Sequence, residues 1–215
     1  MKALITGASS GIGRDMARGL ARRGYDLILV ARRTERLEEL GRTLPVQVQT
    51  ISLDLAQKGN CRALYEQVKD QDLDILINNA LPLMKGIDTC SYNEFNYALR
   101  VGVTAPFYLA KLFVPDFKRR NKGHILNVAS SAAFLPGPLL SSYYASKAYV
   151  LRLSEAISEE LRRAGSQVKI SVLCPGPVRT EFNDVAGVRF SIRGLPSPSV
   201  AEYAIDRMLR GRLVI

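Results

Sequence analysis

The 215-residue chain holds a single histidine, His124, and three dispersed cysteines, Cys61, Cys90 and Cys174. One histidine argues against a histidine-based triad or metal site, so no metal is expected. An odd number of scattered cysteines fits reduced, buried thiols in a cytoplasmic protein, and neither a disulfide framework nor a zinc cluster. No apolar run is long enough to cross a bilayer. The first residues already read as a core strand, which predicts that no signal peptide precedes them. No repeat, low-complexity tract or linker interrupts the chain, so one domain over 1–215 is expected. A composition 47% hydrophobic and 23% charged suits a soluble domain with a sizeable core.

Positive charge is plentiful: 30 Lys and Arg against 20 Asp and Glu give a net +10. One reading is a nucleic-acid surface. The basic residues, however, fall in pairs on helix faces (Arg22-Arg23, Arg119-Arg120, Arg162-Arg163) without interleaved aromatics. The excess is therefore read as a solvated exterior biased toward an anionic cofactor, with no nucleic-acid or membrane partner.

The stretch that organises the rest is the first thirteen residues. Residues 1–6 read as an apolar strand, 7–13 as a glycine-rich turn, and 14–23 as a helix with Met16, Ala17, Leu20 and Ala21 at helical spacing. Glycines let a backbone turn sharply and approach a pyrophosphate, while the free N–H groups of the helix start face the anion. Gly7, Ser9, Ser10, Gly11, Ile12 and Gly13 are the candidate cradle.

Apolar runs and amphipathic stretches then alternate. Further strands are predicted over 26–31, 46–51, 74–77, 123–129, 168–173 and 213–215. Helices are predicted after Thr34, as N-cap with Leu37 and Leu40 inward, and over 57–69, 92–117 (kinked near Pro106), 142–163 and 200–209. His124 simply begins the fifth strand. Continuous apolar strands separated by helices imply a doubly wound α/β (Rossmann) fold, one parallel sheet of about seven strands with helices on both faces. A ligand then binds outside the carboxyl ends of the strands.

In such folds an acid at the end of the second strand selects NAD, and a nearby arginine accommodates the extra phosphate of NADP. Here the strand ends Val30-Ala31-Arg32-Arg33, with no acid before Glu35. Arg32 and Arg33 can bind a phosphate dianion, and Ser9 can add a hydroxyl, which predicts NADP(H). Asp54-Leu55, past the third strand, would lie beside the adenine.

Tyr143 and Lys147 stand four apart on one face of a predicted helix. Ser130 lies just beyond the fifth strand, at the cofactor edge. The three groups suit carbonyl–alcohol interconversion. A tyrosine exchanges a proton with the substrate oxygen, a nearby ammonium lowers its pKa, and a serine hydrogen-bonds the carbonyl.

With these residues in place the chain resembles the short-chain dehydrogenase/reductase family. The matches are Thr6-Gly7-x-x-x-Gly11-x-Gly13, Asp54-Leu55, Asn78-Asn79-Ala80, Ser130, Tyr143-x-x-x-Lys147 and Pro175-Gly176-x-x-x-Thr180, in family order. The resemblance implies that Asn79 and Ala80 border the cofactor, that Tyr143 is the acid/base, and that Ser130 positions the carbonyl. It implies that Lys147 holds the nicotinamide ribose, that Thr180 bonds the carboxamide, and that Pro175, Gly176 and Val178 flank the nicotinamide. Only Tyr143, not Tyr144, has a lysine at the family spacing, and Ser130 rather than Ser131 has the family separation from it.

Three departures stand out. Leu81 replaces the glycine that usually follows Asn-Asn-Ala, and would narrow the site or move the loop. Gly102 falls where the family carries an asparagine of the proton relay. The sequence stops at Ile215, inside the expected last strand, and the substrate loop over 187–197 is short. These departures motivate a second reading, an NADP(H)-holding sensor or scaffold with weak or no catalysis. The apolar run 132–140 fits a hydrophobic substrate pocket, a packed loop or an oligomer contact. The two long helices resemble those that pair subunits in the family, which predicts a homodimer or homotetramer.

Overall fold

The computed structural model describes residues 1–81, 86–181 and 193–215. Six strands form one parallel sheet: β1 (Lys2–Thr6), β2 (Asp26–Ala31), β3 (Val48–Ser52), β4 (Ile75–Asn78), β5 (His124–Val128) and β6 (Lys169–Leu173). Their order is β3-β2-β1-β4-β5-β6. The chain winds outward from β1 to β3, then returns to β4 on the other side of β1. The switch between β1 and β4 opens a cleft at the carboxyl edge.

Both faces of this sheet are buried, which is why the strands are apolar throughout. Ile5, Leu29 and Ile77 pack to one side with α1 (Gly11–Arg22), α2 (Thr34–Arg42) and α7 (Ser197–Leu209). Leu4, Ile28 and Leu76 pack to the other with α3 (Asn60–Val68), α5 (Ala105–Arg120) and α6 (Ser141–Arg163). Arg23 ties α1 to α7 through Glu202 and Asp206, both at 2.7 Å. The basic pair at Arg22-Arg23 is thus matched by acids 180 and 183 positions away.

Four expectations are corrected. The seventh strand is reduced to an edge: residues 213–215 bond to β6 in parallel through the Val172–Val214 bridge, without forming a strand of their own. Thr34 does not cap α2; Arg33 is the N-cap, and the Thr34 hydroxyl donates instead to Ser52 Oγ at 2.8 Å. The helix expected from residue 57 starts at Asn60, because Asp54 and Gln57 close successive turns and Gly59 adopts φ +87°. The long helix over 92–117 is two helices, α4 (Tyr92–Leu99) and α5, joined by a π-helical turn at Arg100–Thr104 just before Pro106. Part of the stretch 187–197 lies outside the described residues; its end, Leu195–Pro196 (β8), pairs with Val178–Arg179 (β7) in a small parallel ladder.

His124 opens β5 and is buried. Its Nε2 faces Ser171 Oγ at 2.9 Å, and that hydroxyl gives its own proton to the Arg212 carbonyl, so Nε2–H donates. Burial, with Lys169 nearby, pushes the imidazole down to about 4. The unfolded chain therefore takes up a proton below about pH 6.5 that the native state refuses. Stability from this group is present above that pH and drains away as pH falls toward 4. We expect denaturant unfolding at pH 5 to show a loss of about 2 kcal/mol relative to pH 7. The loss should vanish in His124→Gln; a variant with the same slope would remove His124 as its source.

Candidate active site

A cavity of about 900 Å³ lies at the carboxyl edge of the sheet, over the β1–β4 switch. Its floor is the glycine turn. Gly7 has φ +67°, and a Cβ there would come within 2.8 Å of Ala80 Cα, so only glycine lets β1 and the end of β4 approach this closely. A Cβ on Gly13 would sit 2.3 Å from Asn79 Nδ2 and 2.5 Å from the Gly7 carbonyl oxygen. Two side chains lock the turn. Thr6 Oγ1 donates to the Ile77 carbonyl and accepts the N–H groups of Asn79 and Ala80 at 3.0 and 3.1 Å. Asn79 Nδ2 donates to the carbonyls of Thr6 and Gly7 at 3.1 Å.

The N-terminus of α1 opens onto this cavity, and Ser10 stands at its N-cap with no side-chain hydrogen bond to the helix backbone. The first bond back into the helix is from Arg14 N–H to the Ser10 carbonyl, which leaves the N–H groups of the first turn for a ligand. An open glycine turn, free helix-start donors and adjacent arginines fit a dinucleotide pyrophosphate.

The arginines divide the work. Arg33 donates to Ser9 Oγ at 3.1 Å and to Ser10 Oγ at 2.8 Å, beside the cradle. Arg32 turns the other way and donates to Tyr97 Oη at 2.7 Å, whose proton goes to Asp54 at 3.3 Å. Tyr97 was invisible in the sequence: its partners lie 65 and 43 positions away, and no motif marks it. Glu181 escaped notice in the same way. Its carboxylate pairs with Arg33 at 3.1 Å and with Arg36 at 2.5 Å. Leu55, Ala80 and Leu81 complete this side of the wall.

On the opposite side Ser130, Tyr143, Pro175, Gly176, Val178 and Thr180 line the same cavity. Ser130 caps the short 3-10 helix Ser131–Phe134, accepting the Ala132 N–H at 3.2 Å. Its hydroxyl lies 3.5 Å from the Pro175 carbonyl and hydrogen-bonds the Tyr143 phenol. Tyr144 lines the same cavity, with its ring against Gly137, where a Cβ would meet it at 2.0 Å. Of the apolar run 132–140, Ala132, Leu135 and Leu140 line the cavity, and Phe134, Leu135 and Leu139 are exposed. Gly102 is buried inside the π-helical turn.

Two expected site residues do not reach the wall. Gly13 acts by close packing under the turn. Lys147 is buried, 3% exposed, and its Nζ donates to the Val128 carbonyl at 2.9 Å. That Nζ lies 5.8 Å from the centroid of the Tyr143 ring. The lowering expected from Lys147 together with a positive nicotinamide does not arise in the protein by itself. Burial, partly offset by the Ser130 hydrogen bond, holds the Tyr143 phenol above its ordinary value, and burial pushes Lys147 down to about 8. Both groups prefer their neutral forms more than they do in water.

The family model described as short chain dehydrogenase matches residues 1–187. The chain belongs to the short-chain dehydrogenase/reductase family of oxidoreductases, whose fold binds a nicotinamide cofactor and acts on small molecules. An uncharacterized oxidoreductase of Staphylococcus epidermidis is 30% identical over 185 residues, 85% of this chain and 80% of that one. A short-chain dehydrogenase from Sphingobium yanoikuyae in complex with NADPH superposes with a TM-score of 0.91 at 32% identity, over 99% of this chain and 86% of that one. A short chain dehydrogenase/reductase from Burkholderia phymatum in complex with NAD superposes with a TM-score of 0.90 at 27% identity, over 100% and 87%. Among the described residues no helix is long and apolar enough to cross a membrane, the three cysteines are free thiols, and no cluster of acids, cysteines and histidine is placed to hold a metal.

Proposed function

We propose that the chain is an NADP(H)-dependent oxidoreductase that interconverts a carbonyl and an alcohol, with Tyr143 as its general acid/base. The observation that carries this reading is the meeting of Ser130 and Tyr143 in one cavity with the open glycine cradle and two arginines. The nicotinamide, when bound, supplies or takes up the hydride. Gly7, Ser9, Ser10, Gly11 and Ile12 seat the pyrophosphate, and Asp54 and Leu55 border the adenine. Ala80, Pro175, Gly176, Val178 and Thr180 flank the nicotinamide end. Ser130 donates to the substrate oxygen, and Tyr143 Oη passes it a proton. Lys147 holds the backbone behind the tyrosine through the Val128 carbonyl. The Tyr143 phenol, protonated at neutral pH by its ordinary value and raised further by burial, is a proton donor to the substrate oxygen there. Leu135 and Leu140 suit a substrate with an apolar body.

The chain is read as one cofactor-binding domain that pairs into a homodimer or homotetramer, and its free thiols suit the cytoplasm. NADPH consumption over a panel of aldehydes and ketones tests the function. Turnover of at least one carbonyl is expected, and a wild type that binds NADPH yet turns over none would leave the sensor or scaffold reading standing. The cofactor is tested separately. Charge-assisted contacts are worth about 1.5–3 kcal/mol, so Arg33→Asp should weaken NADPH roughly tenfold to a hundredfold while leaving NADH nearly unchanged. Arg32→Asp should act in the same direction. Equal losses for both cofactors in fluorescence titrations would remove the arginines from phosphate recognition.

A further inference from the structure

We infer that the phosphate clamp carries its own competitor: Glu181 occupies guanidinium groups of Arg33 and Arg36 that a 2′-phosphate would take, and so sets how strongly a 2′-phosphate is preferred over a 2′-hydroxyl. The inference rests on the NADP(H) reading above and adds to it a third arginine and an internal acid, neither marked by any sequence motif. Glu181 follows Thr180 on the far side of the cleft, so its carboxylate reaches the clamp across the cavity mouth rather than from a neighbouring turn. Oε2 accepts from Arg33 Nη1 at 3.1 Å and Oε1 from Arg36 Nη1 at 2.5 Å. The remaining donors of Arg33 hold the Ser9 and Ser10 hydroxyls of the cradle. One carboxylate thus bridges two arginines at the rim of the pyrophosphate seat.

A phosphate monoester dianion offers three acceptor oxygens and twice the charge of the carboxylate. To engage Arg33 and Arg36 it must break both ion pairs and then sit beside the displaced negative charge. A ligand with a free 2′-hydroxyl meets neither cost. Glu181 is about half exposed, so each pair is modest and the displacement stays reversible. The carboxylate works as a selectivity setting and not as a block.

The test uses the full chain and two probes, adenosine 2′,5′-bisphosphate and ADP, titrated calorimetrically. Glu181→Gln keeps the side chain's length and removes its charge. It should tighten the bisphosphate about threefold to tenfold and leave ADP within about twofold. Arg36→Gln should weaken the bisphosphate selectively, most clearly in the Glu181→Gln background where the guanidinium is released. A wild type that binds both probes equally overturns the NADP(H) reading and this inference with it. A wild-type preference for the bisphosphate that Glu181→Gln leaves unchanged, or reduces, overturns this inference alone.

Discussion

Tyr143→Phe is expected to lower kcat by roughly 10²- to 10⁴-fold, the usual worth of a positioned proton donor, while NADPH still binds. The substitution removes one oxygen and keeps the ring. The ring's edge contact with Tyr144 (centroids 6.1 Å apart, planes at 82°) needs no hydroxyl, nor does the approach of Lys147. The cradle at Gly7–Gly13 and the arginines beyond it are built from other elements, so cofactor affinity has no reason to fall with the phenol. What is lost is a proton donor whose pKa burial raises above its ordinary value and that Ser130 hydrogen-bonds. Ser130→Ala should cost less in turnover but more in local structure, because the same hydroxyl also accepts the Ala132 N–H that starts the short helix. Stopped-flow NADPH oxidation with the best substrate of the panel separates the two. If Tyr143→Phe retains wild-type kcat, the proton comes from elsewhere and the acid/base assignment is lost.

The parts of this site that local sequence encodes were legible. A glycine turn between a strand and a helix, two arginines at a strand end and a tyrosine four residues before a lysine each carry their chemistry within a few positions. The sheet was legible for a similar reason: strands buried on both faces must be apolar throughout, and helices between them must be amphipathic. The misses arose where distant segments decide. Lys147 sits at the expected helical spacing, yet the Val128 carbonyl 19 positions earlier takes its Nζ. Glu181 reads as an ordinary exposed acid until the fold brings it within reach of α2. Residues 213–215 have strand composition, but they meet β6 only along a short edge, through the Val172–Val214 bridge and the backbone bonds of Leu213 and Ile215. Pro106 announces a break in a long helix, and the break takes the form of a π-helical turn over Arg100–Thr104, in which Val101 and Gly102 are buried.

Lys147→Met should lose catalysis and yet leave the fold as stable as the wild type, or more so, at neutral pH. Burial lowers the lysine from 10.5 to about 8, which corresponds to about 3 kcal/mol of penalty on keeping it charged in the native state. The sign follows from proton counting. Between about pH 8 and 10.5 the unfolded chain holds a proton that the folded chain has released, so wild-type stability from this group rises with pH across that window; below it the penalty is full. Methionine has no charge to bury and fills similar space. It does strand the Val128 carbonyl that Lys147 now satisfies, a cost of about 1–3 kcal/mol, so the net gain at pH 7 is small. The sharper observable is the difference between variant and wild type. The neighbouring Cys174 thiol, itself pushed up to about 11, is still neutral through most of this window and common to both proteins. The variant's relative stability should therefore decline by up to about 3 kcal/mol as urea titrations move from pH 8 to 10.5. A difference that stays flat across those pH values would mean that Lys147 carries no burial penalty. A declining difference would show a lysine kept at a stability cost, as expected where charge serves a site and not the fold.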